Sequence, residues 1–419
     1  MDYISKPITS FNKTLTAPAD KSITQRAILF SMLGDRSIKI HNALLGDDCV
    51  SCLQAVAMLG ANIDVDEEKS IISVTGRELE SARLNVGNSG TAMRLLSGIL
   101  AGQVGRTFTI DGDDSLRSRP MRRVIEPLTL MGADLGCEQE YKAPLSIEGS
   151  SLQGIHYTTP MASAQVKSAI LLAGLYASGK TIVTEPFKSR DHTERLLQHY
   201  GVKIYTKGKS VGVGPSRVLP CDTRIVGDIS SAAFPLVIAA SLKGGKVTVK
   251  DVGVNLTRSG ILAVLSQCGA DYRVFNKKDD FEPSADIELE YTNLKPFNIV
   301  RSQIPLLIDE IPILAVMACF IEGKSVISGA EELRFKESNR IDTVVYNLKK
   351  MGADIEPTPD GMIINGTGSL KGGVEVDSHG DHRIAMSMAI AGALSSEGCT
   401  VKNSECASVS YPGFYDLLK

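Results

Sequence analysis

The chain of 419 residues has little charge excess, few histidines and no paired cysteine pattern. Its 45 Lys and Arg stand against 48 Asp and Glu, a formal net charge of −3. General binding to nucleic acid or to a membrane surface is therefore not expected. Anionic small molecules stay open, because local cation clusters decide their binding. No uninterrupted apolar run reaches the length of a membrane span. The opening stretch MDYISKPITSFNK lacks the apolar core of a secretory leader, so none is expected. The 8 cysteines are scattered, and only Cys49 and Cys52 make a C-x-x-C. With no second pair and no thioredoxin-like surround, two helix-face thiols in a reducing, cytoplasmic setting are expected. The 6 histidines show no metal-ligand spacing, and no metal is expected. What is present is ordinary for a globular protein: 43% hydrophobic and 22% charged residues, in a chain long enough for two or more cores.

The strongest pattern is a repeat. A helix-like apolar run, a Gly-containing turn and a strand recur six times, opening at Ser22, Ser89, Ser163, Ser230, Asp309 and Asp381, about 70 residues apart. Each opens on a good N-cap type, and each run is apolar nearly all round, which predicts helices buried inside their domains. A second signature alternates with the first: an amphipathic helix end, a glycine and a strand, at Gly60, Gly132, Gly201, Gly269 and Gly352. Glycine supplies the left-handed helix stop. The sixth copy is missing, so the first and last pieces of chain are expected to close one unit together. The repeats predict an α/β (α+β) fold of six units in two domains of three, with buried central helices, like a barrel turned inside out. The expected domains are 17–225, and 1–16 with 226–419, with crossings near Thr16-Ala17-Pro18 and Arg224–Gly227. The end units show no polar caps, which argues against an open solenoid.

One repeat start raises a chemical question. GNSGTAMR (87–94) places two glycines and an arginine around a predicted helix N-terminus. Bare N–H groups there bind anions, and glycine allows close approach. Taken alone, the stretch reads equally as an ordinary capped helix with a surface arginine.

Nine motifs in order resolve that question by resemblance. They are PADKSITQRAIL (18–29), GNSGTAMRLL (87–96), LRSRPM (116–121), SAQVKSA (163–169), SRDHTER (189–195), IDEIP (308–312), RFKESNRI (334–341), DHRIAM (381–386) and SYPGF (410–414). Together with the six units in two domains, they resemble the enolpyruvyl transferases over essentially the whole chain. The closer likeness is to the branch acting on shikimate 3-phosphate, and SAQVKSA with SRDHTER resembles its second sequence class, often less sensitive to glyphosate. The branch acting on UDP-N-acetylglucosamine is the alternative. It usually carries a Cys at the place of LRSRPM, whereas here no Cys lies between Cys52 and Cys137. A non-catalytic phosphometabolite-binding relative is a further alternative. It would have lost its acid–base residues, yet Asp309, Glu337 and Lys21 are all present.

The resemblance implies a reaction and its residues. The carboxyvinyl group of phosphoenolpyruvate moves to the 5-hydroxyl of shikimate 3-phosphate through a tetrahedral intermediate, releasing phosphate, with no cofactor. Lys21, Ser22 and Arg26 are implied to bind shikimate 3-phosphate, with Lys21 also reaching phosphoenolpyruvate and sharing in catalysis. Ser163, Ala164 and Gln165 are implied to hold the shikimate phosphate and ring. Ala164 stands where some relatives have a second Ser, and Arg190 is a candidate phosphate clamp. Gly90, Arg119, Arg340 and Arg383 are implied to bind phosphoenolpyruvate, with Gly90 against the ligand, and Lys336 adds a further cation. Asp309, also implied to bind substrate, is the candidate base and Glu337 the candidate acid, with roles open to exchange between addition and elimination. Without the resemblance, DEIP reads as a helix cap and KESNR as a solvated face. His382 is kept as a neighbour of the site and His192 as structural, and Arg94 and Arg122 read as salt-bridge partners. Some relatives carry a Lys where this chain has Val409, and Lys402 is no evident substitute. The partners expected are the two small substrates, with no nucleic acid, no membrane and a monomeric chain. Because the implied residues divide between the two domains, shikimate 3-phosphate is expected to bind first and draw the domains closed.

Overall fold

The computed structural model describes residues 1–419. The chain divides into two units, Ala19–Ile225 and Met1–Pro18 with Val226–Lys419. Five four-stranded sheets and one three-stranded sheet make six β/α repeats, three in each unit. No helix is long and apolar enough to cross a membrane.

The second repeat shows the plan. Strand Ala82–Asn85 runs parallel to Thr107–Asp111, and the buried helix Gly90–Ala101 connects them. Thr107–Asp111 then pairs antiparallel with Lys142–Glu148, which pairs antiparallel with Asp134–Glu138. The amphipathic helix Arg122–Leu130 lies between Thr107–Asp111 and Asp134–Glu138 in sequence and buries Val124, Ile125 and Leu128. All five expected stop glycines take positive φ, from 78° at Gly269 to 102° at Gly60.

In the first repeat of each unit the parallel edge strand comes from the other end of the chain segment. Thr223–Arg224 pairs with Ser37–His41, and Asn12–Thr16 pairs with Lys246–Gly253. The N-terminal segment therefore serves two sheets. Tyr3–Ser5 pairs with the last strand, Cys399–Lys402, which closes the sixth repeat as the missing copy implied. Asn12–Thr16 goes instead to the fourth sheet. In place of the sixth amphipathic helix the chain ends in two short 3-10 turns, Ser404–Val409 and Phe414–Leu418.

The six apolar helices are Lys21–Ser31, Gly90–Ala101, Ala164–Gly174, Ile229–Ser241, Ile311–Cys319 and His382–Leu394. Their side chains are buried on every face, as their all-round apolarity requires. Gly90–Ala101 and Ala164–Gly174 cross so closely that a Cβ on Gly98 would lie 2.1 Å from the Ala169 carbonyl oxygen. The cap positions differ from the sequence expectation at three of the six. Asp20 and Asp228, not Ser22 and Ser230, accept the capping bonds, while Ser89, Ser163 and Asp381 cap as expected. Asp309 makes no cap: its helix starts at Ile311, preceded by Glu310, and the Asp309 carboxylate points to cations instead.

Candidate active site

In the Ala19–Ile225 unit the three buried helix starts carry the polar residues. Asp20 takes the N–H of Ile23 at 2.8 Å, which sets the first turn and brings Lys21 to the Asp48 carboxylate at 2.9 Å. The Lys21 and Asp48 side chains are only 13% and 12% exposed, so the pair is shielded. Arg26, one turn on, is buried. It donates to Thr193 Oγ1 at 2.8 Å, the Ser22 carbonyl at 3.0 Å and Ser168 Oγ at 3.3 Å.

The helix starts at Ser89 and Ser163 are linked. Arg94 Nη1 donates to Gln165 Oε1 at 2.6 Å, and Gln165 Nε2 donates to Thr91 Oγ1 at 2.9 Å. Arg94 thus joins two candidate substrate helices, and Arg122 makes a surface pair with Glu126. Arg119 is buried and donates to the Asn88 side chain and to Ser115 Oγ at 3.2 Å. Gly90 lies between these guanidinium groups: a Cβ there would stand 2.7 Å from Arg94 Nη1 and 3.3 Å from Arg119 Nη1. The absent side chain makes room for cations, which no reading of the motif alone foresaw. Ser163 Oγ faces the N–H of Val166 at 3.5 Å, so the N–H groups of Ala164 and Gln165 keep no partner within the helix.

In the other unit a single guanidinium gathers the carboxylates. Arg340 is 1% exposed and donates to Asp381 at 2.9 and 3.2 Å, to Glu337 at 2.7 Å and to Asp309 at 3.2 Å. Burial works against its charge, but Asp381, Glu337 and Asp309 outweigh that effect and hold its pKa above the ordinary value. Lys336 Nζ lies 3.7 Å from Asp309. Asp381 is fully buried; Asp309 and Glu337 are partly exposed, at 16% and 20%. The network thus presents two reachable carboxylates, both held on cations. Asp381 also caps its helix through the Arg383 N–H at 2.9 Å, which places Arg383 beside the network. The Arg383 side chain is 3% exposed, and its Nε and Nη1 have no protein hydrogen-bond partner. A buried cation with unmet donors is costly unless an anion meets them.

Of the remaining candidates, Arg190 is half-buried and follows Ser189, while His382 is buried beside Arg383 and His192 lies buried in the 192–199 helix. Lys402 makes a surface pair with Glu375 at 2.6 Å, and Val409 ends a 3-10 turn. Two buried ion clusters carried no sequence signal. Lys167 pairs with Glu185 and Glu194, and Arg258 pairs with Asp228 at 3.1 Å and Glu310 at 2.8 Å. Cys49 and Cys52 are fully buried, and burial pushes both thiols well up, as inert core thiols.

Buried arginines, Arg340 and Arg383 among them at helix starts, and two carboxylates held on cations suit an enzyme whose substrates carry phosphate and carboxylate groups. The family model described as EPSP synthase (3-phosphoshikimate 1-carboxyvinyltransferase) matches residues 5–418. A Bacillus cytotoxicus protein named 3-phosphoshikimate 1-carboxyvinyltransferase is 48% identical over 413 residues, 97% of each chain. A Thermoanaerobacter sp. protein of the same name is 46% identical over 419 residues, 99% of each chain. The solved EPSP synthase of Acinetobacter baumannii superimposes with a TM-score of 0.86 at 41% identity, covering 99% of this chain and 97% of that one. The chain belongs to the EPSP synthase family and is a transferase.

Proposed function

We propose that this chain transfers the carboxyvinyl group of phosphoenolpyruvate to the 5-hydroxyl of shikimate 3-phosphate. In the addition step a proton goes to C3 of phosphoenolpyruvate while the 5-oxygen, losing its own proton, bonds to C2. In the elimination step C3 gives up a proton and the C2–O bond to phosphate breaks, so the vinyl group is restored and phosphate leaves. Asp309 serves as base and Glu337 as acid in addition, with the roles exchanged in elimination, and Lys21 assists. Shared cations tune such a pair by stabilising charge as it develops at the tetrahedral centre.

The observation that carries this reading is the buried Arg383 guanidinium, whose Nε and Nη1 lack protein partners beside the Asp309–Arg340–Glu337 network. It is a seat for a carboxylate or phosphate next to the two acid–base candidates. Gly90, Arg119, Arg340 and Lys336 complete the phosphoenolpyruvate side of the proposal. Lys21, Ser22, Arg26, Ser163, Ala164, Gln165 and Arg190 hold shikimate 3-phosphate, with Ala164 offering its backbone N–H. Both sets lie on one chain, so the reaction needs no second copy. They divide between residues 19–225 and 226–419. Shikimate 3-phosphate, polyanionic, binds first, its charge offsetting the repulsion among the cations proposed to hold it. The test is phosphate release from phosphoenolpyruvate with each acceptor. Release with shikimate 3-phosphate, and none with UDP-N-acetylglucosamine or with either substrate alone, is expected. Release with the nucleotide sugar would overturn the reading.

A further inference from the structure

We propose that Glu185, held by Lys167, is a positioning residue for shikimate 3-phosphate; the inference rests on the substrate assignment above. Lys167 lies one turn into the helix that Ser163 caps and is 3% exposed. Its ammonium has three N–H donors and three acceptors: Glu194 at 2.7 Å, Glu185 at 3.1 Å and the Ser189 carbonyl at 3.4 Å. The ammonium is thereby fixed in place. Despite burial, which lowers it, the two carboxylates raise the Lys167 pKa.

Glu185, also 3% exposed, uses both oxygens to reach two loops. One accepts the Ser163 N–H at 3.1 Å and the Ser189 hydroxyl at 2.6 Å, and the other faces the Ser189 N–H at 3.3 Å. Ser163 leads directly into Ala164 and Gln165, and Ser189 leads directly into Arg190. One buried carboxylate thus sets the spacing between the helix start and the arginine segment that are assigned to the same phosphate. Glu194 shares the ammonium and the burial but is not hydrogen-bonded to Ser163 or Ser189. A role in general stability would make Glu185 and Glu194 equivalent, whereas a role in positioning separates them.

The experiment compares Glu185→Gln, Glu185→Asp and Glu194→Gln with wild type. Titration calorimetry reads shikimate 3-phosphate binding, steady-state kinetics read kcat and the KM for each substrate, and melts read the fold. Glu185→Gln is expected to weaken shikimate 3-phosphate about tenfold or more, the size of a lost charged hydrogen bond. The kcat at saturation and the KM for phosphoenolpyruvate should stay within about twofold. Glu185→Asp keeps the charge on Lys167 but draws the carboxylate back from Ser163, and should weaken the same ligand with a smaller loss of melting temperature. Glu194→Gln should alter the melt and leave shikimate 3-phosphate binding within about twofold. Unchanged affinity in the two Glu185 variants, or equal weakening by Glu194→Gln, would overturn the proposal. A wild-type protein that fails to bind shikimate 3-phosphate would sink the functional reading, and this inference with it. Tight binding by both wild type and Glu185→Gln would sink this inference alone.

Discussion

Gly90→Ala places a methyl where the structure leaves only cation edges. The new Cβ would stand 2.7 Å from Arg94 Nη1 and 3.3 Å from Arg119 Nη1. Ordinary contact begins near 3.4 Å, so Arg94 must retreat by about 0.7 Å while Arg119 shifts only slightly. Arg94 is tethered by the 2.6 Å bond to Gln165 and a 3.3 Å bond to the Gly90 carbonyl, and a retreat of that size weakens or breaks both. A hydrogen bond to a charged group is worth about 1.5–3 kcal/mol, which corresponds to roughly 10- to 100-fold in affinity. The larger loss should fall on phosphoenolpyruvate and on any inhibitor in its place, because the methyl itself, with the shift of Arg119, intrudes where the Gly90 backbone is proposed to lie against that ligand. Shikimate 3-phosphate should weaken less, through Gln165 alone. Titration of each ligand, with phosphoenolpyruvate added to the shikimate 3-phosphate complex, measures the two effects separately. Equal weakening of both ligands, or a lowered melting temperature with unchanged affinities, would refute the reasoning and make Gly90 a packing residue.

Other perturbations test other parts of the site. Asp309→Ala and Glu337→Ala should each lower kcat by about 10² or more, the size of one lost acid–base group, with little change in substrate binding. Near-normal turnover in either would remove that carboxylate from the mechanism. Burial, only partly offset by Lys167, holds the Glu194 carboxyl above its ordinary value of 4.5. A raised folded pKa favours the fold below the unfolded value and loses that contribution as pH rises through the folded one. Glu194→Gln removes this titration, so melts from about pH 4 to 8 should show the variant gaining on wild type as pH rises. A gap moving the other way would mean that Lys167 keeps Glu194 ionised at little cost. Thiol titration of the native protein should modify the exposed Cys137 first and leave the buried Cys49 and Cys52 silent until unfolding. Early loss of Cys49 would show that the Asp47–Met58 helix opens locally.

The fold was legible in the sequence where chemistry repeats along the chain. Apolarity on every helix face marked the six buried helices, and the five glycines marked the helix stops, because both signals are local. Caps were harder: Asp20 and Ser22, like Asp228 and Ser230, are alternative acceptors two residues apart, and only backbone geometry chooses between them. Side-chain partnerships were illegible. Arg94 reads as a surface residue until Gln165, 71 positions away, is seen to accept from it. Arg340 and Asp381 are 41 positions apart, and no spacing rule joins them. Glu310 shares a motif with Asp309, yet it is buried on Arg258 while its neighbour faces Arg340 and Lys336.

The reaction itself is tested most directly with phosphoenolpyruvate carrying ¹⁸O in its bridging oxygen. Addition to C2 followed by loss of phosphate breaks the C2–O bond, so the label should leave in inorganic phosphate, and only when shikimate 3-phosphate is present. The product should gain the carboxyvinyl mass and carry none of the label. Label recovered in pyruvate would mean that the P–O bond breaks instead, and would contradict carboxyvinyl transfer as the chemistry of this site.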